Sequence, residues 1–321
     1  MNPEISEILK KQHYGIVGRH STIQICTWTK KSLRDEDFCY KQKFYGISSH
    51  RCCQMSPFVA CENECLHCWR PIQISKKIKI NEIDEPKKII DECIRQQRKL
   101  LSGFKGNKKV NMKKWLEAQE PNQFAISLIG EPTLYPKLAE LILELKKREK
   151  TSFLVTNGLN PSALLKLEKK NALPTQMYIS LNSSNKKDYE KWHKSNKKDA
   201  WKLFNKSLEI IKKLKGKTRR VIRITLVKDE NMKESDIGGY AELIKKVIPD
   251  FVEVKAYMAV GFARKRFGYE KMPFHHEIRE YAEKLVKEMK KQGMKKYKIL
   301  DEKIESRVVL VGEKKAKPKA L

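Results

Sequence analysis

Six short apolar runs, separated by longer amphipathic stretches, constrain the fold of this chain more than any other feature of its sequence. Runs of this length bounded by helices are typical of βαβ units, and strands that are apolar on both faces suit a parallel sheet covered on both sides. Six units in succession predict an α/β fold with an incomplete (βα)6 barrel, and a doubly wound sheet is the alternative. The predicted strands are 57–60, 123–129, 151–156, 176–182, 220–227 and 251–258.

The 321 residues are enough for two domains or for one barrel with additions. We expect residues 1–55 to form an N-terminal cap that carries cysteines, residues 56–295 the barrel, and residues 296–321 a C-terminal extension. This extension contains a last strand at 306–311 and ends in a basic tail that is predicted to be disordered. Neither GxGxxG nor GxxxxGK[ST] occurs, so no common nucleotide-binding motif favours the doubly wound alternative.

The chain is strongly basic: 69 Lys and Arg against 39 Asp and Glu give a formal net charge of +30. A charge of this size predicts a polyanionic partner, and nucleic acid is the first candidate. No apolar run approaches the roughly 18–20 residues of a membrane span, and the first residues lack the apolar core of a signal peptide. We therefore expect a cytoplasmic protein without a membrane partner.

Seven of the eight cysteines lie between Cys26 and Cys68, which in a reducing compartment indicates metal or redox chemistry rather than disulfides. Cys61, Cys65 and Cys68 form a C-x3-C-x2-C run. Three thiolates can hold three irons of a 4Fe–4S cluster and leave one iron open. The alternative is a structural zinc site that uses Cys65 and Cys68. Such a site needs a second pair of ligands, and the sequence after Cys68 offers none.

The C-x3-C-x2-C run after a first barrel strand resembles the radical-SAM superfamily, in which the open iron binds S-adenosylmethionine (SAM). His67 departs from the superfamily pattern, because the residue before the third cysteine is usually aromatic. The resemblance implies a radical-SAM barrel in which uncharged polar groups at successive strand ends contact SAM, as catalytic groups occupy that face of other βα-barrels. The expected SAM-binding residues are Gly130, Glu131, Asn157, Ser180, Asn182 and Thr225.

A second triplet, Cys26, Cys39 and Cys52, has twelve residues between successive cysteines. From the residues alone, it is either a second three-thiolate site or a set of unrelated core cysteines. C-x12-C-x12-C, followed by the first triplet and then Trp69-Arg70-Pro71, resembles the archaeal tRNA 4-demethylwyosine synthase family of radical-SAM enzymes. The resemblance covers nearly the whole chain and implies a second 4Fe–4S cluster on Cys26, Cys39 and Cys52.

The family resemblance also implies the reaction. The family condenses pyruvate with N1-methylguanosine-37 of tRNA-Phe to form 4-demethylwyosine, while SAM is cleaved to methionine and 5′-deoxyadenosine. This implies a carbon–carbon lyase that takes electrons from an external donor, and we expect it to be a monomer. Lys41, two residues after Cys39, matches the lysine that forms a Schiff base with pyruvate in the family.

Two other functions remain open at the level of sequence. One is another radical-SAM enzyme with an auxiliary cluster that modifies RNA, such as a methylthiolase. The other is a zinc-stabilised RNA-binding protein without catalytic activity. Protein colour separates the two classes, because an iron–sulfur protein is brown and a zinc protein is colourless.

Positive charge is concentrated in three blocks of the sequence. An enzyme that acts on the Watson–Crick edge of a base must extrude that base from its stack, so we expect a basic rim around the barrel mouth. Tyr189, Trp192 and Trp201 lie within the second block and are candidates for stacking on bases. The blocks are 105–114, 186–220 and 264–266.

Overall fold

One ten-stranded sheet organises the part of the chain that the computed structural model describes, residues 3–72 and 82–314. The strands are β1 (Gly15–Val17), β2 (Ser21–Gln24), β3 (Cys52–Ser56), β4 (Gln123–Ile126), β5 (Thr151–Thr156), β6 (Gln176–Ser180), β7 (Arg219–Leu226), β8 (Phe251–Ala256), β9 (Lys298–Lys303) and β10 (Val308–Gly312). Their order in the sheet is β1-β2-β3-β4-β5-β6-β7-β8-β10-β9.

The helices of the described residues surround this sheet, with one exception considered below. They are α1 (Pro3–Lys11), α2 (Thr27–Leu33), α3 (Tyr40–Tyr45), α4 (Pro86–Leu101), α5 (Met112–Ala118), α6 (Leu138–Lys147), α7 (Pro161–Lys169), α8 (Lys186–His193), α9 (Ala200–Lys213), α10 (Ile237–Val247), α11 (Arg264–Phe267) and α12 (His275–Lys291). Local sequence sets their starts. In α7, the Asn160 side chain accepts a hydrogen bond from Ala163 N and Pro161 occupies the first turn.

Strands β3 to β8 are parallel, and a helix returns the chain from each strand towards the next element. The sequential strand order confirms the incomplete (βα)6 barrel. The doubly wound alternative is wrong, because its strand order reverses at a switch point. The outer edges of β3 and β8 pair with the antiparallel strands β2 and β10, which extend the sheet at both ends.

Helix α3 lies within the barrel instead of around it. Its side chains Tyr40, Phe44 and Tyr45 share one buried cluster with inward-facing strand residues. The helix ends at Gly46, whose φ of 75° is left-handed and whose N–H donates to Gln42 O at 3.0 Å. Layers of strand side chains usually fill such a barrel, and here a short helix contributes to them. The strand residues of the cluster are Phe153, Tyr178, Val221, Phe251, Val308 and Leu310.

The first barrel strand is not where the sequence predicted it. The prediction of a strand at 57–60 is wrong, because the strand is β3, Cys52–Ser56. Residue 55, the predicted end of the cap, therefore falls inside a barrel strand, and β1 and β2 of the same segment extend the sheet. Residues 57–60 are apolar for another reason: Val59 is buried in a cluster with Leu128, Ile129 and side chains of α1.

The C-terminal extension contains two strands where the sequence predicted one. The strand predicted at 306–311 is β10, and the edge strand β9 beside it was missed. Its sequence, KILDEK, carries the charged residues that are typical of exposed sheet edges. The predicted disordered tail falls largely on 315–321, which lie outside the described residues. No helix of the described ranges is long and apolar enough to cross a membrane.

Candidate active site

The loop after β3 holds the first cysteine triplet at the carboxyl end of the barrel strands. Hydrogen bonds from neighbouring units fix this loop. Glu131 N, in the loop after β4, donates to Ala60 O at 2.8 Å. Leu66 N donates to Trp192 O, at the end of α8, at 3.0 Å. The position of the triplet therefore depends on at least two other units of the barrel.

The three thiols are close enough to influence one another. Burial raises the pKa of Cys61 and Cys65 above the ordinary thiol value, and the negative charges of Cys65 and Cys68, respectively, raise them further. Beside them, Glu62 Oε1 and His193 Nε2 are buried without a hydrogen-bond partner in the described part of the chain. Buried thiols that resist ionisation alone become good ligands when a metal compensates their charge. This donor set fits a 4Fe–4S cluster.

His67, the residue that departs from the superfamily pattern, takes part in a stack of rings. Its ring lies 5.5 Å from that of Trp192 with an interplanar angle of 16°, and Trp192 Nε1 donates to His67 Nδ1 at 2.8 Å. Burial lowers the pKa of His67 to about 4, so the ring is neutral at neutral pH. A neutral imidazole thus lies at the position where the superfamily usually has an aromatic residue.

Glu131 ties the ends of two neighbouring strands together. Its buried carboxylate accepts hydrogen bonds from Thr133 Oγ1 at 2.6 Å, Thr156 Oγ1 at 2.7 Å and Asn157 N at 2.8 Å. Burial and the charge of Glu62 raise the pKa of Glu131 to about 7. The Asn157 side-chain amide lies 3.9 Å from Cys61 Sγ. The predicted residues Glu131 and Asn157 therefore meet beside the first triplet.

Gly130 is at a position where other residues do not fit. Its φ is +72°, and an added Cβ would lie 2.3 Å from Phe58 O and 2.7 Å from Ala60 O. Both oxygens are backbone atoms of the segment that leads to Cys61, so they cannot move aside as a flexible side chain could. This close approach allows the two strand-end loops to pack together.

The remaining predicted residues lie on β6 and β7 and the loop between them. Asn182 Oδ1 accepts a hydrogen bond from Thr225 N at 3.0 Å, and its amide lies 3.4 Å from His67 Nε2. Ser180 is the half-buried last residue of β6 and pairs with Arg223 across the sheet. The structure thus brings Asn182 and Thr225 together near the first triplet, whereas within the described residues the Ser180 side chain makes no hydrogen bond to either.

The second triplet comes together from three separate elements. Cys26 and Cys39 are the N-cap residues of α2 and α3, with nearly identical φ and ψ, and Cys52 is the first residue of β3. Burial and the charge of Cys26 raise the pKa of Cys39 to about 11, and Cys39 in turn acts on Cys52. Three cysteines that are far apart in sequence are therefore close enough in the structure for their charges to interact.

Neither triplet has the geometry of a single-ion site. Within residues 3–72 and 82–314, no three His, Cys, Asp or Glu side chains converge as ligands of one metal ion do. The zinc alternative requires such convergence. In an iron–sulfur cluster, each thiolate binds a different iron.

Lys41 lies inside the barrel next to the second triplet. Its side chain is 8% exposed, and Nζ lies 5.5 Å from the Phe153 ring centre and 5.1 Å from that of Tyr178. Burial and the positive charge of Arg223 lower the pKa of Lys41, although Cys39 opposes this effect. Burial and the charge of Arg223 thus both favour the neutral, nucleophilic form of the Lys41 amine.

Three charged residues beside Lys41 were missed at the level of sequence. Glu253 is fully buried and pairs with Arg223 at 2.9 Å. Burial and Arg223 lower the pKa of Lys255 to about 8, and Lys255 Nζ donates to Ser306 O at 2.6 Å. A signal was present in β8, where Glu253 and Lys255 occupy alternate positions of an otherwise apolar strand.

Two of the three predicted stacking residues do not lie at the surface. Tyr189 and Trp192 are buried, and Trp201 is half-buried against Phe204, so the prediction that they stack on bases is wrong for the first two. Their apolar surface packs α8 and α9 against the barrel instead. In the basic block 264–266, Arg266 Nε donates to Leu66 O at 2.8 Å and therefore supports the loop of the first triplet.

Residues 55–238 match the family described as the radical SAM superfamily, and residues 246–313 match the family described as wyosine base formation. Over 97% of its length, the chain is 47% identical to the S-adenosyl-L-methionine-dependent tRNA 4-demethylwyosine synthase of Pyrococcus abyssi, and the match covers 89% of that protein. The chain belongs to the tRNA 4-demethylwyosine synthase family. Family membership implies SAM and a 4Fe–4S cluster, and the family predicted from the sequence is confirmed.

Two further relatives cover almost the whole chain. The synthase of the same name from Methanocaldococcus jannaschii is 37% identical over 96% of this chain and 95% of its own length. A solved structure of TYW1 with a lysine–pyruvate adduct bound has a TM-score of 0.85 and 36% identity, and the match covers 98% of this chain and 96% of that one. The barrel and both of its extensions are therefore shared with the family.

Proposed function

We propose that this protein condenses pyruvate with N1-methylguanosine-37 of tRNA-Phe to form 4-demethylwyosine, as a carbon–carbon lyase that releases methionine and 5′-deoxyadenosine. The observation that carries the proposal is the placement of Lys41, buried in the barrel within electrostatic reach of Cys39 and Cys52. A radical-SAM methylthiolase has no evident use for a buried amine at this place. Family membership supports the same reaction.

In this proposal, Cys61, Cys65 and Cys68 hold the 4Fe–4S cluster that supplies the electron for reductive cleavage of SAM. The Glu131 carboxylate is occupied by hydrogen bonds from its own loop and from β5. It therefore orders the strand ends. Because Glu131 N donates to Ala60 O and Glu131 O accepts from Leu134 N, the proposed backbone contact with the methionyl amine is at Gly130. The other proposed SAM contacts are Asn157, Ser180, Asn182 and Thr225.

We further propose that Cys26, Cys39 and Cys52 hold a second 4Fe–4S cluster and that Lys41 binds pyruvate covalently. Lys41 Nζ attacks the keto carbon, a C=N bond forms, and the keto oxygen leaves as water. The solved relative with a lysine–pyruvate adduct supports this role, and so does the burial of Lys41, which lowers its pKa and favours the neutral amine. We also propose that the enzyme is a monomer and, as the resemblance implies, that it receives its electrons from an external donor.

The test uses anaerobically reconstituted protein, N1-methylguanosine-containing tRNA-Phe, pyruvate, SAM and a chemical reductant. We expect mass spectrometry of the digested tRNA to show 4-demethylwyosine, with 5′-deoxyadenosine in the small-molecule fraction. The same tRNA without the N1-methyl group should give no tricyclic base. A methylthio nucleoside would favour the methylthiolase alternative, and a colourless protein with bound zinc would favour the RNA-binding one.

A further inference from the structure

Exposed aromatic rings follow one another in the segment after β8. Tyr269 is 61% exposed and Phe274 is 56% exposed, although most large apolar side chains of the described residues are buried. Each ring has cations beside it. Arg264 lies 5.9 Å from the Tyr269 ring centre, and Lys228 and Arg307 lie 5.6 and 5.2 Å from that of Phe274. Aromatic rings that alternate with cations differ from an ordinary apolar patch.

Phe274 is held in place by its surroundings. Its ring is stacked with that of His276 at 5.9 Å with an interplanar angle of 7°. Its backbone N–H donates to Glu277 Oε2 at 2.7 Å, and Arg307 Nη1 donates to Pro273 O at 2.7 Å. The ring therefore remains exposed on a rigid support, so that little conformational entropy would be lost when a ligand stacks on it.

This segment lies beside the proposed radical site. Phe262 N donates to Trp69 O at 3.0 Å, directly after the first cysteine triplet, and Arg266 donates to Leu66 O at 2.8 Å. Lys228 lies two residues beyond β7, the strand that carries Thr225. A molecule bound at Phe274 and Tyr269 would therefore border the barrel mouth.

Charge complementarity identifies the kind of partner. Lys228 is paired with Glu277 at 2.7 Å, but Arg264 and Lys265 are exposed and make no ion pair with the described residues. With a net charge of +30, the protein favours a polyanion. Exposed rings beside cations are what single-stranded nucleic acid requires, since bases stack on the rings and phosphates contact the cations.

We propose that Phe274, stacked on His276 and flanked by Lys228 and Arg307, forms with Tyr269 a stacking platform for an unpaired base of the RNA substrate. The inference rests on the proposed function for the identity of that RNA as a tRNA anticodon loop. Extrusion of the reacting base removes the stacking partner of its neighbours. The platform receives one of these neighbours, and the reacting base itself enters the barrel mouth.

The experiment measures binding of an anticodon stem-loop in which 2-aminopurine replaces the base on either side of position 37. Stacking of one base contributes roughly 5- to 150-fold to affinity. We expect Phe274→Ala to weaken binding by at least about fivefold and to abolish the change in 2-aminopurine fluorescence, while Phe274→Trp retains both. Because no phosphate contact is removed, the salt dependence of binding should not change. Leu116→Ala, at a 62% exposed position on α5, is the control.

The possible outcomes test the stacking platform independently of the proposed reaction. Unchanged affinity and fluorescence in Phe274→Ala would overturn the platform, even if the wild-type protein forms 4-demethylwyosine. A weaker salt dependence in that variant would overturn it as well, because it would indicate a lost phosphate contact. Fluorescence that depends on Phe274, in a protein that forms no tricyclic base, would support the platform and contradict the proposed function.

Discussion

Glu253 is the buried residue on which the arrangement around Lys41 depends most. Its carboxylate accepts hydrogen bonds from the hydroxyls of Tyr45 at 2.7 Å and Tyr178 at 3.0 Å, and from Arg223 Nε at 2.9 Å. Tyr45 belongs to α3, the helix that carries Lys41. Glu253 therefore joins α3 to β6 and β7 through these three hydrogen bonds.

We expect Glu253→Gln to destabilise the protein by about 3–5 kcal/mol, because it leaves the Arg223 guanidinium buried without a counter-charge. Urea unfolding at pH 7 measures the difference. Glu305→Gln, which removes an exposed partner of Lys303, should change stability by less than about 0.5 kcal/mol. Equal effects of the two substitutions would contradict the role assigned to Glu253.

The stability difference between the wild-type protein and Glu253→Gln should also depend on pH. Burial alone would raise the pKa of Glu253, but the charges of Arg223 and Lys41 outweigh it and hold the pKa below its ordinary value. The stabilisation is therefore complete above the unfolded pKa of about 4.3 and is lost as pH falls through the lower folded value. The stability difference between wild type and Glu253→Gln should be constant from pH 6 to 7 and shrink only in acid.

Lys41→Arg should separate imine formation from the other steps. Arginine keeps the positive charge and much of the length of lysine but cannot form the imine. We expect the variant to bind tRNA and cleave SAM but to form no tricyclic base. When the wild-type protein is reduced with borohydride in the presence of pyruvate, the peptide that contains Lys41 should gain a lactyl-type mass. The Lys41→Arg variant should show no such adduct. An active Lys41→Arg variant without any wild-type adduct would show that the lysine is only an electrostatic contact.

At the scale of elements, the strand-end loops and the helix starts position the cysteines. The loop after β4 meets the loop after β3 at Gly130, and two of the second-triplet cysteines start short helices in the same extended conformation. The first triplet depends on contacts between neighbouring βα units. The second depends on how the N-terminal segment enters the barrel.

Gly130→Ala should lower stability by about 2–5 kcal/mol, the sum of a left-handed backbone penalty and steric overlap with backbone atoms. Gly216→Ala is a matched control, because Gly216 has a φ of +79° but nothing within 4 Å of an added Cβ. It should lose only about 1–2 kcal/mol. Thermal unfolding of the two variants gives the comparison, and equal losses would mean that the contact with Phe58 and Ala60 does not constrain the loop.

A triple Ala variant of Cys26, Cys39 and Cys52 should keep about half of the iron if these residues hold a separate cluster. It should still cleave SAM, because the first triplet is intact, but form no tricyclic base. Iron and sulfide analysis of reconstituted protein measures the first expectation. Iron content equal to that of the wild-type protein would show that these cysteines are structural. In contrast, Cys65→Ala should abolish 5′-deoxyadenosine formation.

At the scale of the whole molecule, the net charge of +30 governs the encounter with RNA. Lysines and arginines that neutralise phosphates release counterions, so affinity falls as salt rises. We expect tRNA binding to weaken by roughly 10³-fold between 50 and 200 mM salt, which corresponds to about six phosphate contacts. Filter binding over this range provides the test. An affinity that is independent of salt would exclude a phosphate-tracking surface.

Local patterns in the sequence predicted much of the architecture. Strand 151–156 was predicted at its observed bounds, and the strands at 176–182, 220–227 and 251–258 differ from β6, β7 and β8 only at their ends. Strand and helix periodicity arise from short-range backbone geometry, so they can be read in windows of ten residues. The C-x3-C-x2-C spacing is local in the same sense, whereas the roles predicted for the second triplet and Lys41 rest on the family resemblance.

Tertiary structure alone decided which distant residues meet. The hydroxyl of Tyr40 contacts Glu253, 213 residues further along the chain, and no local window records that pairing. The same limit explains why the sequence indicates surface positions for Tyr189 and Trp192 and a first strand at 57–60, whereas the structure has buried rings and a strand at Cys52–Ser56. Burial depends on what packs against a segment from elsewhere in the chain, so an apolar or aromatic run predicts burial or binding but not which of them occurs.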